Sequence, residues 1–88
     1  MRRAARTDAN QAEIIKSLRQ IGARVYYIKE PVDLLVGFRG HTVVLEVKMD
    51  GGRLTKQQVE FIAEWNGGPV HVVRDAQEAV NLVVEECK

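Results

Sequence analysis

The sequence predicts a single small α/β domain in which a mixed sheet is flanked by helices. Segments with apolar residues at helical spacing alternate with short β-prone segments, and capping patterns precede the helical ones. Two consecutive β-prone segments are separated by a two-residue turn signal. The chain has 88 residues, so we expect one compact unit spanning 1–88, with the element order α-β-β-β-α-β-α.

The first predicted helix begins at Asp8, which forms a capping pattern with Gln11, and it ends at Gly22. Apolar residues recur between these ends at helical spacing. A strand over residues 24–29 follows, because this segment is rich in β-branched and aromatic residues. Pro31 ends it.

Residues 32–38 and 42–48 are predicted to form the next two strands, joined through Arg39-Gly40 as a hairpin. Both segments are apolar at successive positions, not only at alternate ones. We therefore expect this part of the sheet to be covered on both faces.

The second predicted helix begins at Thr55, which forms a capping box with Gln58, and it extends to about Asn66. Residues 70–73 form a short strand, and Asp75 caps the final helix. The second helix is expected to bury its apolar residues, among them Val59, Ile62 and Trp65.

The overall charge excludes a strong electrostatic field. The formal net charge is +1, whereas proteins that hold nucleic acid by charge alone usually carry a marked basic excess. Basic residues do cluster at the start of the chain, as Arg2, Arg3 and Arg6. A solvated terminus and a phosphate-contacting arm both explain this cluster.

Cys87 is the only cysteine, so an internal disulfide is excluded and a reducing cytosol is the expected environment. The sequence contains no apolar run typical of a transmembrane segment, and its start lacks the apolar core of a signal peptide. We expect a soluble, cytoplasmic protein.

Asp33, Glu46 and Lys48 are predicted to share one face of the hairpin. Side chains alternate along a strand, so Glu46 and Lys48 point to the same side. If Arg39-Gly40 is a two-residue turn, Asp33 faces Glu46, with their Cβ atoms roughly 4.5–5.5 Å apart.

Two facing carboxylates repel each other and need a cationic partner. Lys48 supplies one positive charge, and paired acids offer the oxygen ligands that Mg²⁺ or Mn²⁺ prefers. A hard cation beside a lysine can activate water against a phosphodiester. The competing interpretation is a charged cluster on a solvated sheet face.

The spacing of Pro31-Val32-Asp33 and Glu46-Val47-Lys48 resembles the signature of the PD-(D/E)xK nuclease superfamily. One residue, Val32, is inserted here between the proline and the acid. The surrounding pattern resembles the VRR-NUC branch, including its small stand-alone phage-type members. This pattern consists of Glu13, Asp33-Leu34-Leu35-Val36-Gly37, Leu45-Glu46-Val47-Lys48, Gly52-Arg53-Leu54-Thr55 and Gln58.

The resemblance implies a restriction-endonuclease-like core and a role for each matching residue. Asp33 and Glu46 would bind Mg²⁺ or Mn²⁺, and the Val47 carbonyl would be a further ligand. Lys48 would be the catalytic lysine.

Two further residues match the family pattern but have simpler explanations. Glu13 matches an acid that such nucleases bring to the metal from the first helix, or it is a solvated flank of that helix. Gln58 matches a family glutamine, although the capping box alone accounts for it.

The resemblance implies a homodimeric, structure-selective DNA endonuclease similar to Holliday junction resolvases. A two-fold dimer would present paired sites to a branched substrate. The alternative is a catalytically silent module of the same fold that binds nucleic acid or protein. RNA as the substrate stays open as well.

Overall fold

The computed structural model describes residues 9–88, which form a four-stranded mixed sheet and three helices. The α/β class and the predicted element order are confirmed. Asp8 and the arginine cluster at positions 2, 3 and 6 lie outside the described residues. The elements are α1 (Gln11–Gln20), β1 (Arg24–Tyr27), β2 (Leu34–Phe38), β3 (His41–Val47), α2 (Lys56–Glu64), β4 (Val70–Val73) and α3 (Ala76–Glu86).

The strands lie in the order β1-β2-β3-β4, with the first three antiparallel and β4 parallel to β3. The predicted hairpin register is confirmed, because Phe38 pairs with His41 and the alignment continues to the end of β2. Arg39 (φ 53°) and Gly40 (φ 80°) both adopt the left-handed conformation that a type I′ turn requires. The turn therefore fixes which residues of β2 and β3 face each other.

One face of the sheet packs against α1 and α3 and carries the hydrophobic core. Alternate strand residues point to this face, in agreement with the two-residue period of a strand. Helical spacing supplies the opposing apolar residues. The largest fully buried side chains are Ile14, Leu18, Val32, Leu34, Val36, Val43, Leu45, Val47, Val73, Val83 and Cys87.

The second face of the sheet is covered less than we expected. Leu35 is 38% exposed, so the prediction of two covered faces is wrong for β2. Tyr26 of the neighbouring β1 is 65% exposed on the same face. Val59 (51% exposed) and Trp65 (44%) are also not buried, and none of the nine residues of α2 is fully buried. A helix of this length spans only about 13 Å, too short to cross all four strands.

The helix ends agree with the sequence except at α1. Thr55 and Gln58 form the predicted capping box, and Asp75 accepts a hydrogen bond from the Glu78 amide. The residue at the start of α1 is Asn10, which makes no side-chain capping bond. The side-chain amide of Asn10 instead donates hydrogen bonds to backbone carbonyls at the ends of β3 and β4. None of the helices within residues 9–88 combines the length and apolarity needed to cross a bilayer.

Candidate active site

Glu46 is a buried carboxylate at the centre of the sheet. Its neighbours Leu45 and Val47 belong to the core, so Glu46 points to the opposite face. The residue is 2% exposed. Its Oε2 accepts a hydrogen bond from Gln58 Nε2 at 2.9 Å and lies 3.2 Å from Lys48 Nζ. Its Oε1 is buried without a hydrogen-bond partner among the described residues.

Asp33 lies immediately before β2, one position beyond the last paired residue of the hairpin. Its Oδ2 accepts a hydrogen bond from the Val47 amide at 2.8 Å, which attaches the acid to β3 beside Glu46. Its backbone carbonyl accepts from the amides of Ile28 (2.8 Å) and Lys29 (3.3 Å). The segment leading into β2 is thus held by backbone and side chain together.

The two acids interact electrostatically. Burial and the neighbouring Asp33 carboxylate raise the pKa of Glu46 from 4.5 to about 7, while Lys48 partly offsets this increase. Burial disfavours the charged form of a carboxyl, and a second carboxylate nearby has the same effect. A raised pKa from these two causes is typical of functional carboxyl groups.

Lys48 follows β3 and is held by its backbone on two sides. Its amide donates to the Val73 carbonyl at 3.0 Å, and its carbonyl accepts from Asn10 Nδ2 at 3.1 Å. The same Asn10 amide group also donates to the Arg74 carbonyl. Asn10 therefore joins the start of α1 to the ends of β3 and β4. This role of Asn10 was not predicted, because the capping pattern was assigned to Asp8 and no local pattern links Asn10 to the strand ends.

Gln58 connects α2 with the acids. Its Oε1 accepts from the Thr55 amide at 2.9 Å to complete the capping box, and its Nε2 donates to Glu46. Capping and contact with the site are therefore not alternatives, since one side chain does both.

The backbone of Val47 also faces the first acid. The amide and carbonyl of one strand residue point to the same side of the strand. Because the Val47 amide donates to Asp33, the Val47 carbonyl is directed toward the Asp33 side of β3 as well.

Glu13 lies apart from this group. Its side chain is exposed on α1, and no hydrogen bond or ion pair among the described residues joins it to Asp33 or Glu46. Within residues 9–88 no group of three or more His, Cys, Asp or Glu side chains is arranged to hold a metal. A ligand role for Glu13 stays a prediction.

The histidines and the cysteine lie outside the acid cluster. His41 is exposed at the hairpin turn. His71 pairs with Leu45 in the sheet, and its Nε2 lies 3.3 Å from Glu86 Oε2 of α3. Cys87 is 1% exposed, and burial raises the pKa of its thiol, which argues against a nucleophile.

Comparison with models of protein families, with curated proteins and with solved structures finds no match in any of the three. The resemblance to VRR-NUC nucleases therefore rests on the sequence motifs alone. What is established is an α/β fold with a mixed four-stranded sheet, in which Asp33, Glu46, Lys48 and Gln58 come together at the end of β3.

Proposed function

We propose that the protein is a metal-dependent DNA endonuclease of the VRR-NUC type with a restriction-endonuclease-like core. The observation that carries the proposal is the environment of Glu46. One carboxylate oxygen is buried without a partner, and a second carboxylate, Asp33, lies beside it. A buried acid that repels its neighbour is costly unless a cation compensates.

The residues present fit Mg²⁺ or Mn²⁺. Asp33 and Glu46 supply carboxylate oxygens, and the carbonyl of Val47 is directed to the same side of β3. These are the hard oxygen ligands that both ions prefer. Bound there, the metal would polarise a phosphodiester and lower the pKa of water.

Lys48 and Gln58 would assist this chemistry from fixed positions. Lys48 Nζ lies 3.2 Å from Glu46, with its side chain 15% exposed, so it can neutralise charge developing on a phosphate. Gln58 holds the same oxygen of Glu46 and leaves the other one free for the metal. Gln58 would thus act by positioning Glu46.

The proposal includes a homodimer that acts on branched DNA in the cytoplasm. Val59 of α2 and Trp65, which directly follows this helix, are half exposed, and a chain of this size cannot cover much apolar surface by itself. A second copy packed against α2 would cover them. It would also bring two acid clusters to one branched substrate.

The proposed activity is tested by incubating the chain with supercoiled plasmid and with four-way junction DNA, with Mn²⁺ or with EDTA. We expect cleavage with Mn²⁺ only. Glu46→Gln and Lys48→Met should each reduce the cleavage rate by roughly 100-fold or more, because Glu46 would hold the metal and Lys48 would neutralise charge on the phosphate.

Glu60→Gln is the matched control, because it makes the same substitution at an exposed glutamate of α2. Its cleavage rate should equal that of the unmodified chain. Circular dichroism shows whether each variant is folded. If the folded chain binds DNA but never cuts it, the catalytically silent module replaces the nuclease. Cleavage that persists in Glu46→Gln would reject the site.

A further inference from the structure

A small pocket opens on the exposed half of the sheet, on the same face as Glu46. It has a volume of about 160 Å³ and is lined by Arg24, Tyr26, Leu35, Val36, Gly37 and Thr42. All but Val36 lie on this face, because Arg24 pairs with Gly37, Gly37 with Thr42, and Tyr26 with Leu35. The lining is mainly apolar and includes the aromatic Tyr26 and the aliphatic Leu35.

Gly37 forms the floor and keeps the pocket open. A Cβ atom there would lie 4.0 Å from the nearest backbone oxygen, that of His41, so the space above it is free. The backbone of Gly37 is not in the left-handed region. A side chain could therefore be introduced at this position to fill the pocket.

The pocket is continuous with the acid cluster. Leu35 pairs with Val44 of β3, and Glu46 lies two residues further along the same strand on the same face. From the strand spacing, Tyr26 and Glu46 are separated by about 12 Å between Cα atoms.

We infer that this pocket binds an unpaired nucleobase of the DNA strand whose phosphate lies at the acid cluster. The inference rests on the proposed function and adds its substrate class, namely DNA with a single-stranded branch. An exposed tyrosine ring beside an aliphatic wall suits stacking of one base, and Arg24 suits the neighbouring phosphate. A base within a duplex would first have to leave the stack, which costs roughly a few kcal/mol, so an unpaired base is favoured.

A second copy of the chain is the competing occupant of this face. Among the residues that line the pocket, the exposed apolar ones are Tyr26 and Leu35, beside Arg24 and Thr42. A stable interface buries roughly 800 Å² on each partner, far more than a pocket of this size. The small size of the pocket and its position on the same face as Glu46 favour the base.

The test compares DNA binding by variants in which one of two tyrosines, on opposite faces of β1, is replaced. Tyr26 lies in the pocket and the adjacent Tyr27 points to the other face, yet both are exposed (65% and 48%). Affinities are measured for a forked DNA with one 2-aminopurine in its unpaired arm and for the blunt duplex. Ca²⁺ is present as an oxygen-preferring cation, and the DNA is checked for cleavage afterwards.

Tyr26→Ala and the pocket-filling Gly37→Val should weaken binding to the fork roughly 5- to 100-fold, the effect of one stacked base. Both variants should also lose the quenching of 2-aminopurine fluorescence that is expected from stacking on Tyr26. Their affinity for the duplex should be unchanged. Tyr26→Phe, which keeps the ring, and Tyr27→Ala should bind like the unmodified chain.

Equal fork affinity for Tyr26→Ala and the unmodified chain would overturn the inference, as would equal losses for fork and duplex. Sedimentation of a dimer that becomes monomeric in Tyr26→Ala would assign the pocket to a second copy instead. If the unmodified chain binds neither DNA, the proposed function itself fails, which is distinct from a failure of the pocket alone.

Discussion

At the scale of single residues, the charge balance around Glu46 is uneven. Oε2 accepts from both Gln58 and Lys48, whereas Oε1 is buried without a partner within the described part of the chain. One lysine does not compensate for two neighbouring carboxylates and the loss of water, so the pKa of Glu46 rises to about 7. The metal-free protein should therefore have its lowest folding stability, as far as Glu46 determines it, at neutral pH and above.

This balance predicts how metal-free stability depends on pH. Between pH 4.5 and about 7 the unfolded chain has released the Glu46 proton while the folded chain keeps it. The free energy of unfolding should therefore fall as pH rises through this window, by on the order of 2–3 kcal/mol from this group. Urea unfolding in EDTA at pH 5 and pH 8 measures the change.

Glu46→Gln should remove that contribution, because glutamine does not titrate, and Glu60→Gln should leave it in place. Adding Mn²⁺ at pH 8 should raise the stability of the unmodified chain but not that of Glu46→Gln. Identical pH profiles for the unmodified chain and Glu46→Gln would show that Glu46 ionises as freely as in water.

The placement of Asp33 opposite Glu46 on one face of the hairpin could be predicted from the sequence, because two short-range rules determine it. Side chains alternate along a strand, and a two-residue turn at Arg39-Gly40 fixes the register. The contact of Asn10 with Lys48 spans 38 positions and follows from packing of α1 on the sheet. No local pattern encodes it.

At the scale of elements, the start of α1 secures the end of the site. Asn10 donates to carbonyls at the ends of β3 and β4, and Arg74 Nη1 donates to the Met49 carbonyl at 2.6 Å. These bonds hold the chain where it leaves the sheet after Lys48. The position of the lysine thus depends on a helix distant in sequence.

Asn10→Ala should reduce the free energy of unfolding by roughly 1–3 kcal/mol, because two partly buried carbonyls lose their donor. Chemical denaturation measures this effect. Asn81→Ala is the control, since Asn81 is exposed on α3 and bonds only to Gln77 within the described residues. It should change stability by less than about 0.5 kcal/mol. Equal effects of the two substitutions would contradict the role of Asn10.

The burial of α2 was predicted wrongly because local pattern and tertiary contact differ there. Apolar residues at helical spacing and a capping box correctly predicted a helix. They could not show how much of the sheet a nine-residue helix reaches. Val59 and Trp65 are half exposed as a result, and Gln58 provides the polar contact with Glu46.

At the scale of the whole molecule, the sheet divides the chain into a packed and an open side. α1 and α3 cover most of one face, although Tyr27 on that face is 48% exposed. α2 and the exposed residues of β1 and β2 share the other face. The acid cluster lies on the open side. A substrate and a second copy of the chain would both approach from there.

The proposed dimer predicts that Val59→Asp gives a monomer in sedimentation experiments, because it places a charge within the apolar interface. Val59 is 51% exposed, so the stability of the monomer should change little. Gln57→Asp adds the same charge on the polar side of α2 and should leave the dimer intact. If the unmodified chain sediments as a monomer at micromolar concentration, the dimer is rejected.

The central claim, that Asp33 and Glu46 together bind a divalent metal, is tested most directly by diffraction from crystals soaked in Mn²⁺. Anomalous scattering identifies manganese independently of any assumption about the site. We predict a peak in contact with both carboxylates and on the Val47 carbonyl side of β3. Crystals that show no peak at these acids, at a Mn²⁺ concentration that supports DNA cleavage, would contradict the claim.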